Sequence, residues 1–304
     1  DLGGSDRTVG FVVGTFSVVA LCGRMFSGRL TDRKGRKVSF LTGLASCATA
    51  GAIYWMPFGL PGVFAARAFQ GFGEACLYTG AAAWAVELAG VERSSRALGF
   101  VSTGIWGGIT AGPVVGNWFG SFHSAAAFQT IAALTAFALL TRIPEDYKPA
   151  PHAGSGKWLR SHLILPGLAV GFVNVHYPVI TGFLILHLAN HGNSGRIALS
   201  TYAGLVLASR FFFGGLPDKK PPQYTFFFGI SMMAVGLTIL AFGPNPPIAI
   251  LGAACLGFGF SFPWASVAAT VFKRTPSTEH GSAVSVLSAF YDLFVGMSSF
   301  SAGV

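Results

Sequence analysis

Ten stretches of mostly apolar residues, each about twenty long, recur along this 304-residue chain: 9–30, 38–58, 61–86, 97–119, 125–142, 163–187, 197–216, 224–242, 247–271 and 282–304. A helix of about twenty residues crosses the roughly 30 Å of hydrocarbon in a bilayer. Backbone groups in lipid must pair within their own segment, so such stretches predict membrane-spanning helices. The fold class expected is therefore an all-α membrane protein. Charged residues make up only 10% of the chain, against about 25% in soluble domains. The formal charge of +9 does not point to nucleic acid, because the basic residues sit between apolar runs, where they orient a membrane protein. Cys22, Cys47, Cys76 and Cys255 each lie inside an apolar run without metal-like spacing and read as small apolar side chains.

The long polar stretch 143–162, IPEDYKPAPHAGSGKWLRSH, is rich in Pro, Gly and charge and reads as a linker between halves 1–142 and 163–304. Placing the loops on alternate sides puts fifteen Lys and Arg on one face, five of them (Arg29, Arg33, Lys34, Arg36, Lys37) in GRLTDRKGRK, 28–37. The other face holds Arg7 and Arg196. That asymmetry places GRLTDRKGRK in the cytoplasm.

A repeat accompanies it. RMFSGRLTDRKGRK (24–37) aligns with RFFFGGLPDKKPPQ (210–223) at an interval of 186 residues, pairing Arg24 with Arg210, Gly28 with Gly214 and Asp32 with Asp218. Both copies follow an apolar segment and fall on one face, which predicts a parallel repeat about an axis along the membrane normal. An interval of 186 holds about six spans, so the expectation is six plus six, with one further helix before Asp1 and one after Val304.

GRLTDRKGRK resembles the loop signature of the major facilitator superfamily, carried here by Gly28, Leu30, Asp32, Arg33, Gly35, Arg36 and Lys37. RAFQGFGEA (67–75) resembles that family's fourth-helix motif through Arg67, Gln70, Gly71 and Gly73. GITAGPVVGN (108–117) resembles its antiporter-type fifth-helix motif through Gly108, Gly112, Pro113 and Gly116, with Asn117 where a Gly is usual. AFYDLFVGMSS (289–299) is similar to bacterial efflux members. The resemblance implies a two-halved helical bundle working by alternating access in a bacterial inner membrane, with helices 2–6 of the family in 1–142 and 7–11 in 163–304. It also implies that Gly28, Asp32, Arg33, Gly35, Arg36 and Asp218 form a conformational latch, a contact made in one state and broken in the other. The blander alternative is a solvated loop whose charges only fix topology. The small residues 108–116 imply a pliable, tightly packed helix.

Polar groups inside apolar segments are the candidate site. Arg67, Gln70 and Glu74 share a helix face, with Arg67 and Glu74 about two turns and 10 Å apart. Charges at membrane depth are costly and must face the bundle interior and find partners. An acid held from water favours its neutral, protonated form, which suits proton pickup and release, and makes Glu74 the candidate proton carrier. The alternative is a fixed ion pair with Arg67. Asp292, beside Tyr291, is a second intramembrane acid, either a proton site or a partner for a helix end or an Arg. Arg24 and Arg210 are expected to snorkel to the cytoplasmic surface. Asn174 and Tyr177, next to His176 and Pro178, are expected to line a cavity at a Pro-broken helix. Trp264, beside Pro263, is expected to border substrate.

His187 and His191 stand at i and i+4 with no Glu between them, so no zinc-protease motif is present and no metal is expected. No Gly-rich phosphate loop with Lys appears, and no catalytic set can be placed, so neither ATP chemistry nor enzyme activity is expected. The function expected is a secondary active transporter exporting a small organic solute in exchange for protons, with no cofactor. The alternatives are uptake by proton symport or a uniporter, and a transport-dead receptor with the same fold.

Overall fold

The computed structural model describes residues 6–145, 158–189, 195–242 and 245–302, and among these it contains helices and no strand. The first helices are α1 (Asp6–Lys34), α2 (Arg36–Trp55), α3 (Gly59–Ala89), α4 (Ser94–Phe119) and α5 (Phe122–Thr141). There follow α6 (Ser161–Asn174), α7 (His176–Ala189), α8 (Gly195–Phe213), the single turn α9 (Leu216–Lys219), α10 (Pro222–Phe242), α11 (Pro246–Arg274) and α12 (His280–Ala302). Seven segments among the described residues are long and apolar enough to cross a membrane: α2, α5, 161–181, 197–219, α10, α11 and 277–298. Helices α1, α3 and α4 are 29, 31 and 26 residues long, but mix Gly, Ser, Thr and charged residues into their apolar runs.

The radial pattern is the reverse of a water-soluble protein's. Phe242 is 84% exposed and Leu165 76%, while Arg24, Asp32, Arg36 and His280 are buried. With lipid as the surrounding medium, large apolar side chains gain nothing by turning inward, and polar groups must pair inside.

Chain packing forms two compact units. The first comprises Asp1–Trp84, Val114–Ile164 and Thr275–Asp292. The second comprises Ala85–Pro113, Leu165–Arg274 and Leu293–Val304. In the first, Leu44, Trp84 and Leu140 form a small cluster backed by Phe40 and Phe137. Helices α2 and α3 touch backbone to backbone: a methyl group on Gly43 would sit 2.7 Å from Gly73 O, and one on Gly80 2.7 Å from Phe40 N. In the second, Trp106, Tyr202, Val206, Leu256 and Phe260 anchor a larger cluster. There a methyl on Gly229 would sit 2.8 Å from Gly259 O, so α10 and α11 meet as α2 and α3 do, 186 residues later along the chain.

Helix ends follow local chemistry. Gly35 ends α1 and opens α2 at φ 108°, a conformation an L side chain rarely adopts. Ser121 caps α5 by accepting from Ser124 N. Pro178 lacks the N–H that residue 174 O would receive, and the helix breaks just upstream, α6 ending at Asn174 and α7 starting at His176. Pro263 lies inside α11, which stays helical through it.

One expectation about packing is corrected. Tight packing at Gly108 and Gly112 is not found, since among the described residues a methyl on either would meet nothing within 4 Å. Helix α4 instead makes its close approach at Gly99, where an added methyl would lie 3.2 Å from Arg210 O and 3.4 Å from Gly214 Cα. The side chains of Pro113 and Gly116, and residues 146–157 of the linker, lie outside what is described, as does His191.

Candidate functional site

Two interior acids and one arginine of the first unit converge. Arg24 of α1 is 1% exposed, so it does not snorkel to the surface as expected. Its Nη2 donates to Glu74 Oε2 of α3 at 2.6 Å, and its Nε to Asp292 Oδ2 of α12 at 2.8 Å. The ring of Tyr78 lies 5.8 Å from the guanidinium carbon. Two carboxylates on one guanidinium satisfy the requirement that intramembrane charges find partners. The Glu74 side chain keeps 37% of its surface open, against 11% for Asp292 and 2% for Arg24. One acid of the cluster is therefore accessible while its counter-ion is sealed.

Glu74 thus takes its cation from α1, and the ion pair with Arg67 considered from spacing is not the one formed. Arg67 donates instead to Gln70 Oε1 at 3.1 Å and lies 5.5 Å over the Phe16 ring. Gln70 also accepts from Tyr54 OH at 3.2 Å and donates to Gln129 Oε1 at 3.2 Å, which binds α2, α3 and α5 together. Arg67 and Gln70 form a network of their own, in which the guanidinium meets an amide and a ring, distinct from the Arg24–Glu74–Asp292 cluster one turn on.

The loop residues form a set of helix caps. Asp32 of α1 is buried and accepts from Gly281 N at 2.8 Å, Ser282 N at 2.9 Å and the Ser282 hydroxyl. It caps α12 from 249 residues away, neutralising donors that have no partner within their own helix. Burial pushes the Asp32 carboxyl up to about 6, while the Ser282 and Gly281 donors and the Arg36 charge pull it down by less. Gly28 lets α1 approach α12, because a methyl there would strike Ser285 and come within 3.1 Å of Ser282 Cα. Arg36 is buried and donates to Ser277 O at 2.6 Å, while Arg33 points outward.

Asp218 does the same work in the second unit. Its two oxygens accept from Ser95 N and Arg96 N, each at 3.0 Å, and cap α4. The 186-residue interval that relates Asp32 to Asp218 also relates Ser95 and Arg96 to Gly281 and Ser282. Two positions in one loop alignment thus make equivalent contacts with two further positions that the alignment did not include.

Sequence reasoning missed three participants. Glu145, in the linker, accepts from Arg36 N at 2.6 Å and Lys37 N at 3.1 Å and so caps α2. Trp158 donates to Ser285 Oγ at 2.7 Å, and Arg160 pairs with Glu279 at 2.5 Å. A Pro-rich stretch carries no periodicity that could have signalled them. Gly35→Ala should cost about 1–3 kcal/mol in stability, from the positive φ and from a methyl 2.7 Å from Glu145 Oε2. Thermal unfolding beside Glu145→Ala, expected to lose about 1 kcal/mol of capping, checks this, and a Gly35→Ala protein that melts with the unmodified one would refute it.

In the second unit Asn174 is 2% exposed and its amide donates to Val170 O of its own helix at 2.7 Å, so in this conformation it serves the helix break. His176 lies beside it, its Nδ1 2.7 Å from Val173 O. Tyr177 and Trp264 are half-buried, and the Tyr177 ring stands edge-on to Trp106 at 5.7 Å. Among the described residues no cluster of His, Cys, Asp and Glu is arranged to hold a metal.

The sequence profile described as Major Facilitator Superfamily matches residues 1–299. An uncharacterized MFS-type transporter of Burkholderia mallei (strain SAVP1) is 24% identical over all of this chain and 77% of its own length. Another, of Salmonella typhimurium (strain LT2), is 24% identical over 99% of this chain and 80% of its own. Among solved structures, the human organic anion transporter MFSD10 superposes with a TM-score of 0.80 at 15% identity, covering 96% of this chain and 76% of that one. The proton:xylose symporter XylE gives 0.79 at 16%, with 99% and 80% covered. These likenesses establish the fold, and the family comprises transporters rather than enzymes. With its apolar helices and a profile match along nearly its whole length, this integral, multi-pass membrane chain belongs to the Major Facilitator Superfamily.

Proposed function

We propose that this chain is a secondary active transporter that exports a small organic solute in exchange for protons by alternating access. The observation that carries the reading is the buried Arg24–Glu74–Asp292 cluster, in which two acids at membrane depth share one cation and one acid keeps an open edge. A structural ion pair needs one acid per base, and the extra carboxylate is what gives the site a charge that a proton can cancel.

Ten helical segments among the described residues, counting α6 with α7 and α8 with α9 as one span each, support the reading of ten crossings in two parallel-repeat halves, 1–142 and 163–304. The contacts that recur at the 186-residue interval support it further. Gly28, Asp32, Arg33, Gly35, Arg36 and Asp218 form the latch, engaged here through the caps on α12 and α4. Arg67, Gln70, Tyr177 and Trp264 line the pathway, Asn174 lies at its helix break, and Gly108, Gly112, Pro113 and Gly116 give α4 its pliable outer half. The basic loop face lies in the cytoplasm of a bacterial inner membrane. MFSD10 is an organic anion transporter and XylE a proton:xylose symporter, so solutes of either kind head the screen.

The test has two steps. A thermal-shift screen on purified protein finds a solute, and its flux is then measured in reconstituted vesicles under an imposed pH gradient of either sign. Export by antiport predicts efflux against the proton gradient, lost in Glu74→Gln while membrane insertion is retained. Flux that follows protons inward makes the protein a symporter, flux indifferent to pH makes it a uniporter, and unchanged flux in Glu74→Gln removes Glu74 from the role.

A further inference from the structure

One interval joins two interior arginines, Arg24 buried and Arg210 half-buried, and the residues that surround them. It is 186 residues from Arg24 to Arg210, from Glu74 to Phe260, and from Trp106 to Asp292. In the first unit Arg24 is held by Glu74 and Asp292. In the second the Arg210 guanidinium carbon stands 5.4 Å from the Trp106 ring centroid and 5.4 Å from that of Phe260. Every position that bears a carboxylate around Arg24 bears an aromatic face around Arg210. Tyr78, whose ring lies against Arg24, likewise corresponds to Trp264.

The two clusters share an architecture and differ in chemistry. A carboxylate attracts a guanidinium through a full charge that a proton removes, whereas a ring attracts it through a quadrupole that no proton alters. One cation against two ionised acids leaves the first cluster one negative charge in excess, and a single proton cancels it. The other groups near Glu74 are the thiols of Cys47 on α2 and Cys76 on α3, with Tyr78 of α3 against the arginine. Around the second cluster stand His176 and Tyr177 of α7 and Tyr202 of α8.

We infer that, of the two repeat-related arginine clusters, the Arg24 cluster alone exchanges a proton, one per transport cycle, with Arg24 the positioning residue that sets this count, and that the Arg210 cluster is its fixed-charge counterpart. This rests on the proton-coupling reading above. Arg24 touches no reacting solute atom in this argument; it fixes how many of the two acids must stay ionised.

The experiment is infrared difference spectroscopy, pH 5 minus pH 8, on the purified full chain in lipid nanodiscs without any solute, reading the protonated-carboxyl stretching band in an Asp32→Asn parent, because the Asp32 carboxyl, pushed up to about 6, would add a band of its own. That parent should show the band, and adding either Glu74→Gln or Asp292→Asn should abolish it, because the acid that remains is matched by Arg24. Arg24→Gln should roughly double the band and extend it to more alkaline pH, Arg24→Lys should restore the original spectrum, and Arg210→Gln should leave it unchanged. The comparison of Glu74→Gln with Arg210→Gln stands even where Arg24→Gln fails to fold. A band that survives Glu74→Gln, or that Arg210→Gln removes, overturns the inference. So does a protein with proton-driven flux and no band. A band without proton-driven flux sinks the transport reading instead and leaves the site chemistry standing.

Discussion

Arg24→Met is expected to destabilise the first unit by about 3–5 kcal/mol, the usual cost of removing one partner from a buried charge cluster. The guanidinium is sealed from solvent, and both of its acids stay behind. Methionine fills most of the volume, so the loss is electrostatic rather than a cavity: two like charges face each other with no cation between them. The informative companion is the triple variant Arg24→Met, Glu74→Gln, Asp292→Asn. Replacing a whole buried charge cluster by neutral groups of similar size is often neutral or stabilising, so the triple variant should recover to within about 1–2 kcal/mol of the unmodified protein while remaining dead for proton-driven flux. Arg210→Met removes the contacts with the Trp106 and Phe260 rings and leaves no pair of like charges facing each other there, so it should cost about 0.5–2 kcal/mol. Thermal unfolding of the three variants in one detergent checks the ranking. A triple variant as unstable as the single one would mean that Arg24 packs rather than neutralises.

The sequence foretold different parts of this arrangement for different reasons. Helix positions were legible because lipid imposes one rule on every span, and the apolar runs lie on the helices observed, as 38–58 does on Arg36–Trp55. The loop alignment was legible because a tight turn restricts residue choice locally: Gly35 has to take a positive φ, and Gly28 has to admit α12. The partner of Glu74 was not legible. Spacing on a single helix brought forward Arg67, seven residues away, but helix periodicity describes one face of one helix and is silent about which neighbour lies across it. Arg24 stood near the end of an apolar run beside the basic loop and read as a snorkelling side chain, and only packing reveals that α3 and α12 bring acids to it. Glu145 was hidden for another reason, since capping needs a carboxylate at a point in space and nothing in the linker's composition marks which acid arrives there. The packing role of Gly108 and Gly112 was misjudged because small residues permit close approach without requiring it.

Asp32→Ala is expected to undock α1 from α12 almost completely. The substitution strips acceptors from Gly281 N–H, Ser282 N–H and the Ser282 hydroxyl, and a buried donor left bare costs about 1–3 kcal/mol. A total loss of about 3–5 kcal/mol lowers the docked-to-undocked ratio more than a hundredfold. Spin labels at exposed Lys34 and Pro276, in a background without native cysteines, read that ratio as a distance distribution. Acid pH acts on the same contact in the opposite sense. The docked carboxyl takes up its proton near pH 6, whereas a free one does so near 4, so docking binds the proton more tightly. The added stability is complete below about pH 4 and is lost as pH rises through 6. The burial cost of the charge exceeds what the donors and Arg36 return, so neutralising the oxygens helps docking while deleting them destroys it. Between pH 7.5 and pH 5 the docked fraction should therefore rise in the unmodified protein and stay flat in Asp32→Asn, whereas Asp218→Asn, whose cap lies on α4, should keep the rise. If the Asp32→Asn protein still followed pH, the titrating group would lie elsewhere, and the cap on α12 would be a passive fastening.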